Sequence, residues 1–355
     1  MAYTTIDKPD QYFNTLIYTG NGTSGRSVTG VGFQPDWVWI KNRSDADPYK
    51  LFDVIRGVGK SIKSNSLDAQ ATNEANGYVS AFGTDGFTLT AGSSSIQDVN
   101  LNNENYVAWN WKAGTAVSGT TSGSGTGKAY SGSVNTEAGF SIIQYSGNGS
   151  AGHTIPHHLG AVAKMIILKR LDASANWSTY HVGMGNGKSL PLNEDEAPTT
   201  STTFWNDTTP TSSVFTVGSI SNTNNNNSNI ISYCFAEKKG YSKFGSYTGN
   251  GSSDGPFVWT GFKPAWVLVK VTSTSDSWQL IDNKRDPENS GAEQLLQPDL
   301  NVAEATDSVR FDMLSNGLKM RTSNVSVNSS GASYIYMAFA ENPFVTSGGV
   351  PATAR

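Results

Sequence analysis

Cysteine is almost missing from this chain. Cys234 is the single one in 355 residues, which excludes an intramolecular disulfide and reads as a small buried residue in a strand. Charge is sparse too, at 15% of residues with a net charge of −4. Nucleic acids and anionic membranes demand a basic excess, so neither is an expected partner. No apolar run is long enough for a membrane-spanning helix, and no signal-peptide pattern opens the chain. Membrane insertion is therefore not expected, and synthesis in a cytoplasm is. Sustained helical periodicity is lacking; 66–75 and 291–305 are the stretches that admit a helical turn or two.

Glycine (37 residues), serine, threonine and asparagine are plentiful, as in chains of short strands joined by turns. Between them lie short apolar runs bounded by glycine, proline or charge: Trp37-Val38-Trp39-Ile40, Met165-Ile166-Ile167-Leu168 and Val267-Leu268-Val269. Such runs are typical of buried strands. The fold class this predicts is all-β.

The chain also repeats itself. Tyr18-Thr19-Gly20-Asn21-Gly22 returns as Tyr145-Ser146-Gly147-Asn148-Gly149 and as Tyr247-Thr248-Gly249-Asn250-Gly251. Each copy runs to a closing strand, Val107-Ala108-Trp109, Tyr233-Cys234-Phe235 or Met337-Ala338-Phe339. Opening tyrosine and closing aromatic are 91, 90 and 92 positions apart (18 to 109, 145 to 235, 247 to 339). Gly32-Phe33-Gln34-Pro35-Asp36-Trp37 through Lys41 matches Gly261-Phe262-Lys263-Pro264-Ala265-Trp266 through Lys270, and Leu51-Phe52-Asp53 with Arg56 matches Leu280-Ile281-Asp282 with Arg285. Copy two keeps Met165 through Lys169 but loses the Phe, Pro, Asp and Arg.

The spacing predicts three β-sandwich repeats of one topology at 15–112, 141–238 and 243–342. Each is about 100 residues, enough for its own core. A Gly/Ser/Thr-rich stretch at 113–140 reads as a flexible linker. Copies two and three have no such linker and are expected to pack closely. Segments 1–14 and 343–355 lie outside the repeats and are candidate arms for fastening neighbours. Repetition multiplies weak contacts rather than building one catalytic centre, so a surface or adhesive role is favoured over an enzyme.

These columns resemble a repeated domain of virion structural proteins of marine bacteriophages, described as tail-fibre or virion-associated. The resemblance rests on Tyr18-Thr19-Gly20, Gly30-Val31-Gly32-Phe33-Gln34-Pro35-Asp36, Val38-Trp39-Ile40-Lys41-Asn42-Arg43, Leu51-Phe52-Asp53 with Arg56-Gly57, and Tyr106 through Lys112. It extends to Ala2 through Pro9 and to Asn342-Pro343-Phe344-Val345 with Pro351 through Arg355. It implies a lectin-like (concanavalin-type, jelly-roll) sandwich on the exterior of a phage particle. Implied partners are other virion proteins, host cell-surface carbohydrate and further copies of the chain as a homo-oligomer. The alternative is a capsid decoration (cement) protein; a glycan-degrading enzyme on a lectin-like fold is the third reading.

Comparing copies separates core from candidate site. Trp39 aligns with Ile167 and Leu268, and Trp109 with Phe235 and Phe339, which reads as core. Trp111 aligns with Glu237 and Glu341, a column that suits a solvent-facing position, and it admits two readings, an exposed aromatic that contacts a sugar or partner or a covered strand end. Tyr49, Trp177 and Trp278 each follow a polar loop and admit two readings, a sugar-stacking platform or core. With Asn110, Asn176 and Asp276 beside these rings in sequence, Trp111, Tyr49, Trp177 and Trp278 form the candidate ligand-binding set.

Other patterns read as structural. Asp53 with Arg56 and Asp282 with Arg285 suit a turn lock. Gly57-Val58-Gly59-Lys60-Ser61 and Gly185-Asn186-Gly187-Lys188-Ser189 lack the first glycine of a phosphate loop. His153, His157 and His158 lack a fourth zinc ligand, and Asp45 with Asp47, or Glu194-Asp195-Glu196, lack calcium-loop spacing. No carboxylate recurs in all three copies, as a repeated glycosidase centre would need. No catalytic residue, metal or cofactor is expected.

Overall fold

The computed structural model describes residues 2–289 and 291–352; Met1 and 353–355, the outermost residues of the expected arms, lie outside it, as does Ser290. Its antiparallel sheets fall into three groups, one for each sequence copy, here called lobes 1, 2 and 3. In lobe 1 a four-stranded inner sheet has the order Phe13–Thr19, Asn105–Trp111, Trp37–Asn42, Lys50–Asp53. An outer sheet of Arg26–Thr29, Gly86–Thr90 and Tyr78–Gly83 covers one face. Lobe 3 repeats the inner order with Ser242–Thr248, Ser333–Pro343, Phe262–Val271 and Gln279–Asp282, and its outer sheet is Phe257–Trp259, Gly317–Met320, Phe311–Leu314. Lobe 2 has the same inner core of Phe140–Ser146, Asn229–Ala236, Ala163–Arg170 and Ser178–His181. The first strand begins at Phe13 and the last ends at Pro343, so both expected arms lend residues to the sheets.

The stretch 113–140 is not a flexible linker. Thr115–Thr120 and Ala129–Asn135 pair with each other, and the second pairs with Phe140–Ser146, extending the inner sheet of lobe 2 to six strands. The cause is legible in its alternation: Val117, Tyr130 and Val134 put side chains onto the lobe 2 core, while Gly123 and Gly125 turn the chain at φ of 83° and 78°. Nor do the two weak helical stretches form helices. Ala71–Thr72 pairs with Lys60–Ser61, and Ala292–Leu295 pairs with Ala305–Ser308. Short helices occur instead at Thr202–Trp205, Ser221–Asn224 and Val325–Asn328. The first places Trp205 edge-on against Tyr180 and Phe215, filling lobe 2 on the side where lobe 1 has its third outer strand.

The central inner strands Trp37–Asn42 and Asn105–Trp111 are buried on both faces, and the two faces serve different cores. Val38, Ile40, Tyr106 and Ala108 pack toward the outer sheet of lobe 1 with Phe87 and Leu89. Their neighbours Trp37, Trp39, Trp109 and Trp111 point the opposite way, into a second core built jointly by all three lobes. Lobe 2 supplies Phe140, Met165, Ile167, Tyr233 and Phe235 to it, and lobe 3 supplies Phe244, Trp266, Leu268, Met337 and Phe339. Ring contacts cross every lobe boundary: Trp37 stacks on Tyr233 at 4.4 Å, Trp111 meets Trp266 edge-on at 5.7 Å, and Phe235 meets Phe339 at 6.1 Å. Each lobe therefore keeps a core of its own, as its length predicts, and shares a second one with the other two lobes. Burial on both faces explains why these strands read as unbroken apolar runs.

Polar contacts close the same ring. Trp177 Nε1 of lobe 2 donates to Lys63 O of lobe 1 (3.0 Å), and Trp278 Nε1 of lobe 3 donates to Pro191 O of lobe 2 (3.2 Å). Arg43 of lobe 1 forks onto Glu304 of lobe 3 at 2.6–3.0 Å. Each lobe holds one neighbour on each side.

Candidate functional site

The structure buries all four candidate rings, Trp111, Tyr49, Trp177 and Trp278. Trp111 is 1% exposed at the centre of the shared core, ringed by Phe13, Trp37, Trp266 and Phe339. Tyr49, Trp177 and Trp278 are likewise buried, so the core alternative holds for all three and none offers a face to a sugar. Asn110 is buried and donates to Asn14 O and Ala108 O. Asn176 and Asp276 are half-buried; Asn176 Oδ1 accepts from Asn193, and Asp276 Oδ1 accepts the Ser277 amide. The four rings all join the shared core rather than a common surface.

The error over Trp111 is one of register. The ladders pair Tyr18 with Tyr106, Tyr145 with Ile230 and Tyr247 with Tyr334. Counting from those pairs, Trp111, and not Trp109, is the partner of Phe235 and Phe339; each lies opposite Trp37, Met165 or Trp266. Matching Trp109 to Phe235 and Phe339 therefore lies two residues out of the ladder register. A slip of two keeps every side chain on its own face, so the apolar columns still matched. The inferred exposure of Trp111 had no other support.

The remaining patterns take structural roles. Asp53 Oδ1 accepts the amides of Ile55 and Arg56 while Oδ2 holds Arg56 Nε at 2.5 Å, and Asp282 with Lys284 and Arg285 repeats this at 2.6 Å. Both carboxylates also face across a lobe boundary: Tyr233 Oη donates to Asp53 at 2.7 Å and Trp109 Nε1 to Asp282 at 2.9 Å. The turn lock is thus an inter-lobe tie as well. The phosphate-loop-like segments are turns, with Gly57, Gly59 and Gly185 at φ of 89°, 74° and 79°. His153 bonds Asn224 and Thr121, His157 bonds Thr211 O, and His158 bonds Tyr130, so the three imidazoles do not share a target. Asp47 accepts from Asn42, and Asp45 accepts the Ala46 amide. Glu194, Asp195 and Glu196 line a shallow depression with Asp299, whose carboxyl is pushed up to about 6 by burial. Among the described residues no cluster has the donor set of a metal centre.

Two sets of residues escaped the sequence reading. The first is a buried asparagine in every lobe. Asn100, Asn224 and Asn328 each accept the amide of the asparagine in the repeated turn (Asn21, Asn148, Asn250) at 3.1, 2.9 and 2.9 Å. Each also donates its Nδ2 to a carbonyl of that turn, Thr23 O, Ser150 O or Ser252 O, at 2.8 Å. The opening tyrosine completes the joint, Tyr18, Tyr145 and Tyr247 donating to Val99 O, Thr223 O and Val327 O. This explains why Tyr-x-Gly-Asn-Gly recurs. The first glycine fits because a Cβ at Gly20, Gly147 or Gly249 would lie 1.8–2.3 Å from a backbone oxygen of the same joint.

The second set is exposed. On the edge strand Phe257–Trp259, Phe257 and Trp259 are 45% and 47% exposed while Val258 between them is buried. Alternation on a strand puts both rings on one outward face. Trp259 is braced edge-on by Phe344 at 5.5 Å, and Phe344 by Tyr3 at 6.2 Å, so both terminal segments support the platform. Tyr3 Oη donates to Gly261 O at 2.7 Å, and Lys239 Nζ sits 4.4 Å over its ring. Lys319, paired across the ladder with Phe257 and joined to Asp254 at 2.6 Å, supplies polar groups beside the rings. The ladder positions of lobes 1 and 2 carry Ser27 and Thr29, and Thr154 and Pro156. An aromatic in one copy alone is the signal by which the sequence marks this strand.

Comparison with known proteins gives one match. No curated protein and no solved structure matches the chain. A family model described as a domain of unknown function (DUF7483) matches residues 8–343, running through all three lobes as one unit. By that match over nearly its whole length, the chain belongs to the DUF7483 family.

Proposed function

We propose that this is a non-enzymatic protein of the exterior of a bacteriophage particle, a tail-fibre or receptor-binding component whose outward aromatic pair contacts host-surface glycan. The single observation that carries the binding role is the Phe257/Trp259 platform. Two rings on one flat face, with the charged Lys319 and Asp254 beside them, match the alternating apolar faces and hydroxyls of a sugar chain. The phage assignment rests on the sequence resemblance, and the two-sheet lobes are compatible with the lectin-like jelly roll it implies. One such site binds weakly, so several copies on a particle, or a homo-oligomer, supply avidity without new contacts.

The test compares wild type with Phe257→Ala/Trp259→Ala for binding to host cells and purified surface glycan. The double variant should lose at least tenfold in binding with an unchanged unfolding midpoint, because neither ring belongs to a core. Equal binding by both proteins refutes the platform. A second reading, decoration of the capsid shell, is favoured by the closed three-lobed body, a shape suited to local threefold positions of a lattice. Electron microscopy of intact particles separates the two: density over the head excludes the fibre, and density on the tail excludes decoration.

A further inference from the structure

Lobe 1 contains a buried ionic group that its sister lobes lack. Lys50, on the inner strand Lys50–Asp53, faces the lobe 1 core on the same side as Phe52. Its side chain and that of Asp98 are both 0% exposed, with Nζ 2.9 Å from Asp98 Oδ2. The two groups meet as a fully buried ion pair. Glu74 closes the group: it bonds Lys50 Nζ and Ser61 Oγ directly, and Lys63 lies 3.8 Å away. Asn76 Nδ2 approaches Asp98 Oδ1 at 3.4 Å.

The corresponding positions in lobes 2 and 3 are neutral. Ile40 pairs with Lys50 where Leu168 pairs with Ser178 and Val269 with Gln279. Counting back two from the buried asparagines, Asp98 becomes Asn222 and Ser326. The same framework therefore closes without the pair. Burying two ions carries a large desolvation penalty before their attraction is counted, and an apolar or neutral replacement is often as stable. A chemical role accounts for this cost better than a stabilising one.

We propose that Lys50 and Asp98 join in an intramolecular amide, with Glu74 as the proton carrier. The reaction balances without any co-reactant. A proton passes from the Lys50 ammonium to the Asp98 carboxylate across their contact; Nζ then attacks Cγ, Glu74 accepts the proton released from nitrogen, and it returns that proton to the departing hydroxyl. One C–N bond forms, one C–O bond breaks, and one water leaves. Burial raises the Asp98 carboxyl above its usual range, which favours the protonated acid that the step needs. Afterwards Glu74 keeps Ser61 and Lys63 as partners, and the two buried charges are gone. The product ties strand Lys50–Asp53 to the segment that enters strand Asn105–Trp111, across 48 positions of chain (50 to 98).

The experiment is intact-mass spectrometry of the purified full-length protein, with peptide mapping. The expected mass is one water below that of the sequence, with a branched peptide joining the Lys50 and Asp98 segments. Lys50→Gln places in lobe 1 the residue that lobe 3 uses there, so it should fold, and its mass should equal its sequence. Glu74→Gln should retain the fold and form the bond at least tenfold more slowly. A wild-type mass equal to the sequence overturns the proposal, and so does a branched peptide joining Lys50 to Glu74.

Discussion

Replacing Trp111 by alanine distinguishes a core ring from a binding ring. The side chain is enclosed by Phe13 at 4.8 Å, Trp37 at 4.4 Å, Trp266 at 5.7 Å and Phe339 at 5.8 Å. A buried tryptophan removes about 200 Å² from water, worth about 5 kcal/mol. Its Nε1 has no hydrogen-bond partner, so truncation strands no acceptor. Measured truncations of this kind cost about 3–5 kcal/mol, and the expected loss is about 4. Trp111→Phe keeps most ring contacts and deletes an unpartnered N–H, so about 1–2 kcal/mol is expected. Because the cavity opens into a core shared by three lobes, the whole chain should lose stability together. Urea unfolding followed by far-ultraviolet circular dichroism tests both points without relying on the deleted fluorophore. One transition at a lower midpoint is expected. Separate transitions, with only one displaced, would contradict the shared core, and a loss below about 1 kcal/mol would contradict the burial argument.

Two further predictions concern groups that the repeats hold in common. Asn224→Ala removes bonds to Ser150 O, Gly218 O, the Asn148 amide and His153, leaving buried partners unpaired, so a loss of about 3 kcal/mol or more is expected by thermal or urea unfolding; a loss under about 1 kcal/mol would show that water replaces the side chain. Lys41, Lys169 and Lys270 occupy the same inner-strand position in the three lobes, and burial lowers each from 10.5 to about 8. Their folded values lie below the unfolded one, so between pH 8 and 10 the unfolded chain binds more protons and stability must rise with pH. Above pH 10 the slope reverses, because buried Tyr18, Tyr145 and Tyr233 are raised and stay protonated only when folded. Urea midpoints at pH 8, 9, 10 and 11 check this; a steady fall from pH 8 refutes it.

Much of the fold was legible because strand patterning is local. Tyr-x-Gly-Asn-Gly, the apolar runs around Val38, Ile166 and Val267, and the constant spacing all follow from turn chemistry and side-chain alternation within a few residues. They are enough to predict an all-β chain in three groups. The reading failed where the answer depended on what lies across a face. Trp37 and Trp39 alternate with Val38 and Ile40, and all four are apolar; nothing in that run says that one pair meets an outer sheet and the other meets two further lobes. The two-residue slip at Trp111 was invisible for a related reason, since the ladder that fixes register joins residues some 90 positions apart.

The sequence by itself determined strands, turns, the threefold repetition and the turn-locking roles of Asp53 with Arg56 and Asp282 with Arg285, because each is set by near neighbours. The tertiary structure alone decided which rings are hidden and which are offered. Trp111, Tyr49, Trp177 and Trp278 are buried by residues from other lobes, whereas Phe257 and Trp259 lie on an edge strand with no further strand beside it. It also brought Lys50, Glu74 and Asp98 together from three separate segments. Exposure and encounter depend on how distant segments close around one another, and no local pattern encodes that closure.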